Sequence, residues 1–267
     1  MTLLAAVQMT SGADKAENLS KATALIRKAA RRGAQLIGLP ENFAWMGPEP
    51  ERDANAEALD GPTLTAMSAL AKEFGVTLLA GSVLEAGAPG GRLYNTSVLF
   101  GPDGARLAAY RKMHLFDVEV GDGQTYKESA AVAPGTEVVV ATTALGKVGL
   151  SVCYDLRFPE LYRRHAEAGA VLLTVPAAFT LATGKDHWEV LLRARAIENQ
   201  AYVMAPAQQG RHPKDRLTWG HAMIVDPWGL VTARASEGEG LAMAELDDAL
   251  LSRVRRNLPA LQHRRLV

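Results

Sequence analysis

The sequence predicts an α/β protein arranged as a four-layer α-β-β-α sandwich, and three observations lead there. Strand-length apolar runs alternate with amphipathic helical segments, which implies sheets with helices packed on them. The order β-α-β-α-β plus a hairpin occurs twice along the chain. Two such halves, each with helices on one sheet face only, can bury their bare faces against each other. No linker rich in Pro, Gly or Ser parts the halves, so residues 1–267 read as a single domain with internal pseudo-symmetry. The symmetry is one of element order, not of residue identity.

In the first half, residues 3–9 are an apolar run of strand length. Residues 14–32 follow as a helix, with Leu19, Ala22, Leu25, Ile26 and Ala29 on one face and Gly33 as its stop. Residues 36–39 make a short buried strand, 64–74 a helix closed by Gly75, and 76–84 a further strand. Strands at 93–100 and 106–110 flank the turn Gly101-Pro102-Asp103-Gly104, after residues 86–91 as an ordinary surface connection. The second half repeats the order: strand 148–152, helix 159–168, strand 171–175, helix 186–199, strand 202–207, and a hairpin around Asp226-Pro227-Trp228-Gly229.

With 48% apolar and 22% charged residues, a chain of this length buries a large core. Lys plus Arg and Asp plus Glu both number 29, so no net field draws nucleic acid or an anionic membrane. The run 3–9 has no basic region before it and is interrupted by Gln8, and no apolar segment approaches the roughly 18 to 20 residues of a membrane span. A cytoplasmic protein is expected, with neither nucleic acid nor membrane as partner. Arg253, Arg255, Arg256, Arg264 and Arg265 make the C-terminal end basic, which reads as a solvated face or a partner-docking tail.

Cys153 is the single cysteine, in the run Val148-Gly149-Leu150-Ser151-Val152-Cys153-Tyr154-Asp155-Leu156-Arg157-Phe158-Pro159-Glu160. One thiol makes no internal disulfide and no Cys-rich metal site, so it is a buried hydrophobe or a nucleophile. Composition favours the first reading and placement the second. The strand-like run stops at the sulfur and the chain turns into a Pro-started helix. Such an elbow exposes a nucleophile, and free N–H groups beyond it lower a thiol pKa and bind an oxyanion.

A cysteine nucleophile needs a base, usually histidine. His114, His165, His187, His212, His221 and His263 lie scattered without HxxxH or HExxH spacing, so no metal site is expected. His114 and His187 sit in motif-like surroundings but read as packed core histidines. Carboxylates are the alternative. Glu41 directly follows the buried strand in Leu39-Pro40-Glu41-Asn42-Phe43, at the carboxyl end of the sheet, where open α/β folds bind ligands. Lys112 ends the hairpin strand among apolar neighbours that desolvate it, and Glu128 follows in Tyr126-Lys127-Glu128-Ser129. Taken singly, each has a bland reading as a solvated surface charge.

Together, Pro40-Glu41-Asn42-Phe43, Arg111-Lys112-Met113-His114-Leu115-Phe116-Asp117, Lys127-Glu128-Ser129 and Ser151-Val152-Cys153-Tyr154-Asp155-Leu156-Arg157-Phe158-Pro159-Glu160-Leu161 closely resemble the nitrilase superfamily of carbon–nitrogen hydrolases over nearly the whole chain. The resemblance implies the four-layer fold and a Glu-Lys-Cys triad with a second Glu, at Glu41, Lys112, Cys153 and Glu128. It implies an oxyanion site at Lys112 and the Tyr154 N–H, with no cofactor and no metal. Cys-Tyr-Asp resembles the amidase branches rather than the nitrile-cleaving one. The run from Thr183 to Glu198, with Gly210-Arg211-His212, Asp226-Pro227-Trp228-Gly229 and Gln262-His263-Arg264-Arg265, resembles the deaminated glutathione amidase branch in particular.

A linear amide split into carboxylate and ammonia through a thioester is therefore expected. Arg157, four residues past the sulfur, is expected to grip a substrate carboxylate. The resemblance adds Phe179 and Thr183, on the loop before the 186–199 helix, as pocket residues. Val120-Gly121-Asp122-Gly123 stands where the family often has a Pro-Gly loop. Family members commonly pair, and residues 258–267 look like an arm for a partner, so a homodimer is expected. Other readings stay open: an ω-amidase acting on 2-oxoglutaramate or another short amide, a thiol peroxidase, or an inactive binding scaffold.

Overall fold

Side chains alternate across a strand, and the first strand, Thr2–Met9, shows by its alternation how the layers stack. Ala5, Val7 and Met9 join an apolar cluster with Ala22, Leu25 and Ile26 of helix α1 (Lys15–Arg31) and Met67 and Leu70 of helix α2 (Pro62–Phe74). Leu4 and Ala6 face the other way, into a second cluster with Val148, Leu150 and Leu172 of another sheet. That cluster continues to Leu161 and Tyr162 of α3 (Pro159–Glu167) and to Trp188 and Leu192 of α4 (Leu181–Asn199). The order through the molecule is thus helices, sheet, sheet, helices, as the sequence predicts. These features come from a computed structural model describing residues 2–120 and 125–266.

Among the described residues the first sheet has nine strands and the second six. In the first, Thr2–Met9 runs parallel to Leu36–Gly38, which is parallel to Thr77–Leu79; Tyr94–Phe100 then pairs antiparallel to that strand and to Arg106–Arg111. In the second, Gly146–Leu150, Leu172–Thr174 and Tyr202–Ala205 are parallel at the centre. The hairpin Met223–Val225 and Val231–Arg234 closes one edge, as the turn at Asp226–Gly229 predicts.

Four differences from the expected elements have physical causes. Residues 76–84 are not one strand: Thr77–Leu79 and Val83–Glu85 are separated at Gly81, whose φ is +37°. The break turns this segment onto the Leu39–Asn42 strand end, where the Ser82 N–H donates to the Pro40 carbonyl and its hydroxyl accepts from the Asn42 N–H. Residues 202–207 also split: Tyr202–Ala205 belongs to the second sheet and Ala207–Arg211 to the first, parallel to Thr2–Met9. Pro206, with no N–H to donate, marks the crossing. Helix α4 starts at Leu181 rather than 186, so Thr183 lies in its first turn and not on a preceding loop.

The basic C-terminal end is the fourth difference. Gly240–Leu246 pairs antiparallel along Thr2–Met9, and helix α5 (Asp248–Asn257) follows, with Leu251 and Val254 buried. Arg255 is no solvated charge, because it donates to the Gln200 and Ala170 carbonyls. Beyond α5 the chain lies back on its own body: Gln200 donates to the Leu258 carbonyl, and Arg264 pairs with Glu167 at 2.7 Å.

A Cβ at position 81 would stand 2.0 Å from the Pro40 carbonyl oxygen, in a left-handed conformation that side chains resist. Gly81→Ala is expected to cost about 2–4 kcal/mol of stability and to move the chain entering Glu41. A chemical denaturation midpoint equal to that of the parent would refute this.

Candidate active site

The backbone holds Cys153 in place from both sides. The strand Gly146–Leu150 ends, and Asp155 caps the turn by accepting from the Val152 N–H at 2.8 Å. Cys153 then takes φ +50°, a left-handed value that a non-glycine residue adopts only when its surroundings impose it. Its N–H donates to the Pro176 carbonyl at 3.0 Å, and a 3-10 turn, Cys153–Arg157, leads to α3. Asp155 is fully buried and also accepts from the Tyr110 hydroxyl at 2.8 Å and from the His114 N–H at 3.0 Å. The elbow expected from the sequence is present, but the sulfur is buried, 7% exposed, at the floor of a cavity.

The structure brings Glu41, Lys112 and Glu128 together at that floor. Glu41 stands just past Leu36–Gly38; Lys112 follows Arg106–Arg111 and faces inward, while its neighbour Arg111 turns outward to Glu85. The Lys112 ammonium lies 3.0 Å from Glu41 Oε1 and 2.8 Å from Glu128 Oε2. Backbone and amide donors complete the hydrogen bonding of both carboxylates. Ala178 N–H reaches Glu41 Oε2 at 2.9 Å and Phe116 N–H reaches Glu128 Oε2 at 2.8 Å. Asn95 Nδ2 donates to both carboxylates, at 2.9 and 3.2 Å. Cys153 and Glu41 lie close enough for each to shift the ionisation of the other.

Charge and burial then fix the protonation states. Burial alone would raise the Glu41 carboxyl, but Lys112, Arg216 and the nearby thiol outweigh it and hold Glu41 below the usual 4.5. Burial would lower Lys112, yet Glu128 and Glu41 hold its ammonium well above 10.5. Burial and the Glu41 charge together push the Cys153 thiol well above 9.0, against the pull of Lys112. The expectation that helix N–H groups lower this pKa is therefore corrected: α3 starts six residues on, and the carboxylate beside the sulfur dominates. At neutral pH the site holds a thiol, a carboxylate and an ammonium.

Histidine is not the base here. His114 Nδ1 lies 2.7 Å from Asp155 and its ring stacks on Phe158, while burial pushes His165 and His212 down to about 4. His187, expected in the core, is exposed on α4 and faces Arg157 Nη1 at 3.2 Å. Among the described residues no cluster of His, Cys, Asp and Glu could hold a metal ion, and no helix is long and apolar enough to cross a membrane.

The cavity above the sulfur has a volume of about 500 Å³. Phe179, Thr183 and Tyr154 line it, as do Arg52, Lys127 and Arg216. Arg157 is not in its lining: the guanidinium sits 5.2 Å from the Phe179 ring centroid, behind that wall. Residues 121–123 of the Val120–Gly123 loop lie outside the described residues. Sequence reasoning missed Asn95 and Arg216. For Asn95 a signal existed, an amide opening an apolar strand where a polar group must find partners. Arg216 sits in a charged loop that carries no such mark.

Comparison with known proteins shows the family. A family profile described as carbon–nitrogen hydrolase matches residues 3–256. The deaminated glutathione amidase of Synechocystis is 52% identical over 98% of this chain and 97% of its own. Mouse omega-amidase NIT2 is 41% identical over 98% and 94% respectively. The crystal structure of the C. elegans NitFhit protein superposes with a TM-score of 0.93 and 39% identity, over 99% of this chain and 65% of that longer one.

The coupling of Cys153 to Glu41 can be measured. Glu41→Gln removes the charge that opposes thiolate formation and leaves Lys112 in place, so the thiol of the variant should ionise at lower pH than that of the parent even as turnover falls. The pH dependence of iodoacetamide alkylation reads this directly, and an equal or higher midpoint in Glu41→Gln would contradict the assignment.

Proposed function

The chain belongs to the carbon–nitrogen hydrolase family, and from that premise we propose that it is a cysteine-dependent amidase acting on deaminated glutathione. One observation carries the chemistry: a buried thiol, carboxylate and ammonium converge on the floor of a cavity large enough for a peptide-sized amide. For the substrate, the support is the higher identity to a deaminated glutathione amidase than to an omega-amidase, 52% against 41%, and the cationic residues Arg52, Lys127 and Arg216 around the cavity. Phe179 and Thr183 wall the side that takes the acyl half, and Arg157, outside the lining, is given no part in binding.

The mechanism follows from the protonation states. Glu41 accepts the thiol proton as the sulfur attacks the amide carbonyl. Because the free thiol is held up and the carboxyl held down, transfer ahead of attack is uphill, so proton and C–S bond move together. The ammonium of Lys112 and the N–H of Tyr154 meet the oxyanion, and Glu128 and Asn95 hold Lys112 and Glu41 in register. Collapse expels the nitrogen, protonated by Glu41. The same carboxylate then takes a proton from water, whose oxygen attacks the thioester and releases the thiol. The leaving group depends on the amide: 2-oxoglutaramate yields ammonia, whereas deaminated glutathione carries a substituted amide and yields a dipeptide amine. Ammonia release alone therefore misses the proposed substrate.

The reading extends to context. Residues 1–267 act as one catalytic domain in the cytoplasm, with no cofactor and with neither nucleic acid nor membrane as partner. Two copies pair through Val190 and Ile197 of α4 and the hairpin residues Trp228 and Leu230, which are 66, 49, 64 and 62% exposed.

Two experiments test this. Turnover of deaminated glutathione, 2-oxoglutaramate, glutamine and a neutral aliphatic amide should favour the first in kcat/KM, with Cys153→Ala inactive on all. Fastest turnover of the neutral amide would overturn the substrate, and activity in Cys153→Ala the nucleophile. Sedimentation at micromolar concentration should give a dimer that Val190→Asp with Ile197→Asp converts to monomer; a monomeric parent would refute the pairing.

A further inference from the structure

Arginines that only brace this fold have their donors used. Arg195 gives Nε and Nη2 to the Leu156 carbonyl, at 3.0 and 2.7 Å, and Nη1 to Glu198 at 3.0 Å. Arg111 grips Glu85 at two points, 2.9 and 2.6 Å. Arg216 departs from this pattern. Its Nη2 makes one long bond, 3.2 Å to the Ala178 carbonyl, and its Nε is buried without an acceptor. The guanidinium lies 5.9 Å from the Tyr126 ring centroid, and no carboxylate stands within ion-pair distance of it among the described residues. Yet it lines the cavity that holds Cys153. The other cations there are engaged or peripheral: Lys112 pairs with two glutamates, Arg52 and Lys214 each lie 3.7 Å from Glu49, and Lys127 is exposed.

The loop carrying Arg216 is itself strained. Between Ala207–Arg211 and Leu217–Trp219, Lys214 and Asp215 take φ of +62° and +56°. Two consecutive residues with positive φ suit the twist of a tight hairpin, and the cost here lies in placing non-glycine side chains at them.

Its position also gives a direction. Ala178 links Arg216 to the catalytic floor, since its carbonyl takes the guanidinium while its N–H holds Glu41. Glu41 is the group that protonates the leaving nitrogen, so whatever is attached to that nitrogen extends past Glu41 toward Arg216. We propose that Arg216 is a specificity-determining residue that binds a carboxylate on the amine half of the substrate. The inference rests on the functional reading above and deepens it. In deaminated glutathione the amine half ends in a glycine carboxylate two residues from the scissile nitrogen, a span of about 7 Å for extended chain. A planar guanidinium with donors to spare meets it at two points.

The test compares deaminated glutathione with the same molecule capped as a glycinamide. The parent enzyme should prefer the free acid by about 10- to 100-fold in kcat/KM, as for a charge-assisted contact. Arg216→Gln should remove most of that preference and Arg216→Lys retain part of it. Losses passed on through Glu41 affect both substrates alike and cancel in the ratio. An acid-to-amide ratio in Arg216→Gln equal to that of the parent, or a parent indifferent to the cap, overturns the inference alone. An enzyme that leaves both compounds intact while cutting other amides overturns the substrate reading and the inference with it.

Discussion

The rest of the site depends on one interaction: an ammonium buried between two carboxylates. Lys112 is only 2% exposed, and a lone cation at such depth would lose its proton or pull in water. Glu41 and Glu128 keep it charged, and it in turn keeps Glu41 ionised beside the thiol. Remove either carboxylate and the remaining charges are unbalanced; remove the lysine and two buried anions face each other. An arrangement this costly to desolvate needs every other oxygen satisfied, which is what Asn95, Ala178 N–H and Phe116 N–H do.

That requirement explains the shape of the fold around it. The contributing residues come from different strand ends and loops: Glu41 from the first sheet, Cys153 from the second, Lys112 from the end of a hairpin. Stacking two sheets brings their ends to one edge. The departures from regular structure lie at that edge: the break at Gly81 that supports Pro40, the left-handed Asn42 and Cys153, and the crossing of the chain between sheets at Pro206. Regular strands carry the core, and their irregular ends place the charges.

This division also governs what was legible in the sequence. Periodicity reports burial, so the order of strands and helices and the four-layer stacking could be read directly, whereas Glu41, Lys112, Glu128 and Cys153 stood out together only through the family resemblance of the motifs that carry them. Features set by partners distant in sequence could not. The 76–84 run reads as one strand because nothing in it announces Pro40, and the basic end hides a strand and helix because its arginines look solvated until the Gln200 and Ala170 carbonyls are placed beside Arg255. The thiol pKa failed for the same reason. The turn after Cys153 was visible, but the carboxylate next to it lies 112 positions earlier in the chain.

The protonation state of Cys153 separates the amidase reading from the redox one. A peroxidatic cysteine works as a standing thiolate, stabilised by cations or helix N–H groups and open to solvent. Here burial and an adjacent carboxylate hold the sulfur protonated, with 7% of the residue exposed. Such a thiol reacts poorly with an electrophile that offers no site for the proton and no oxyanion for Lys112 to meet. An amide offers both, since its nitrogen takes the proton through Glu41 and its carbonyl oxygen becomes the anion. In the proposed mechanism, nucleophilicity is thus switched on by the bound amide rather than stored in the resting thiol.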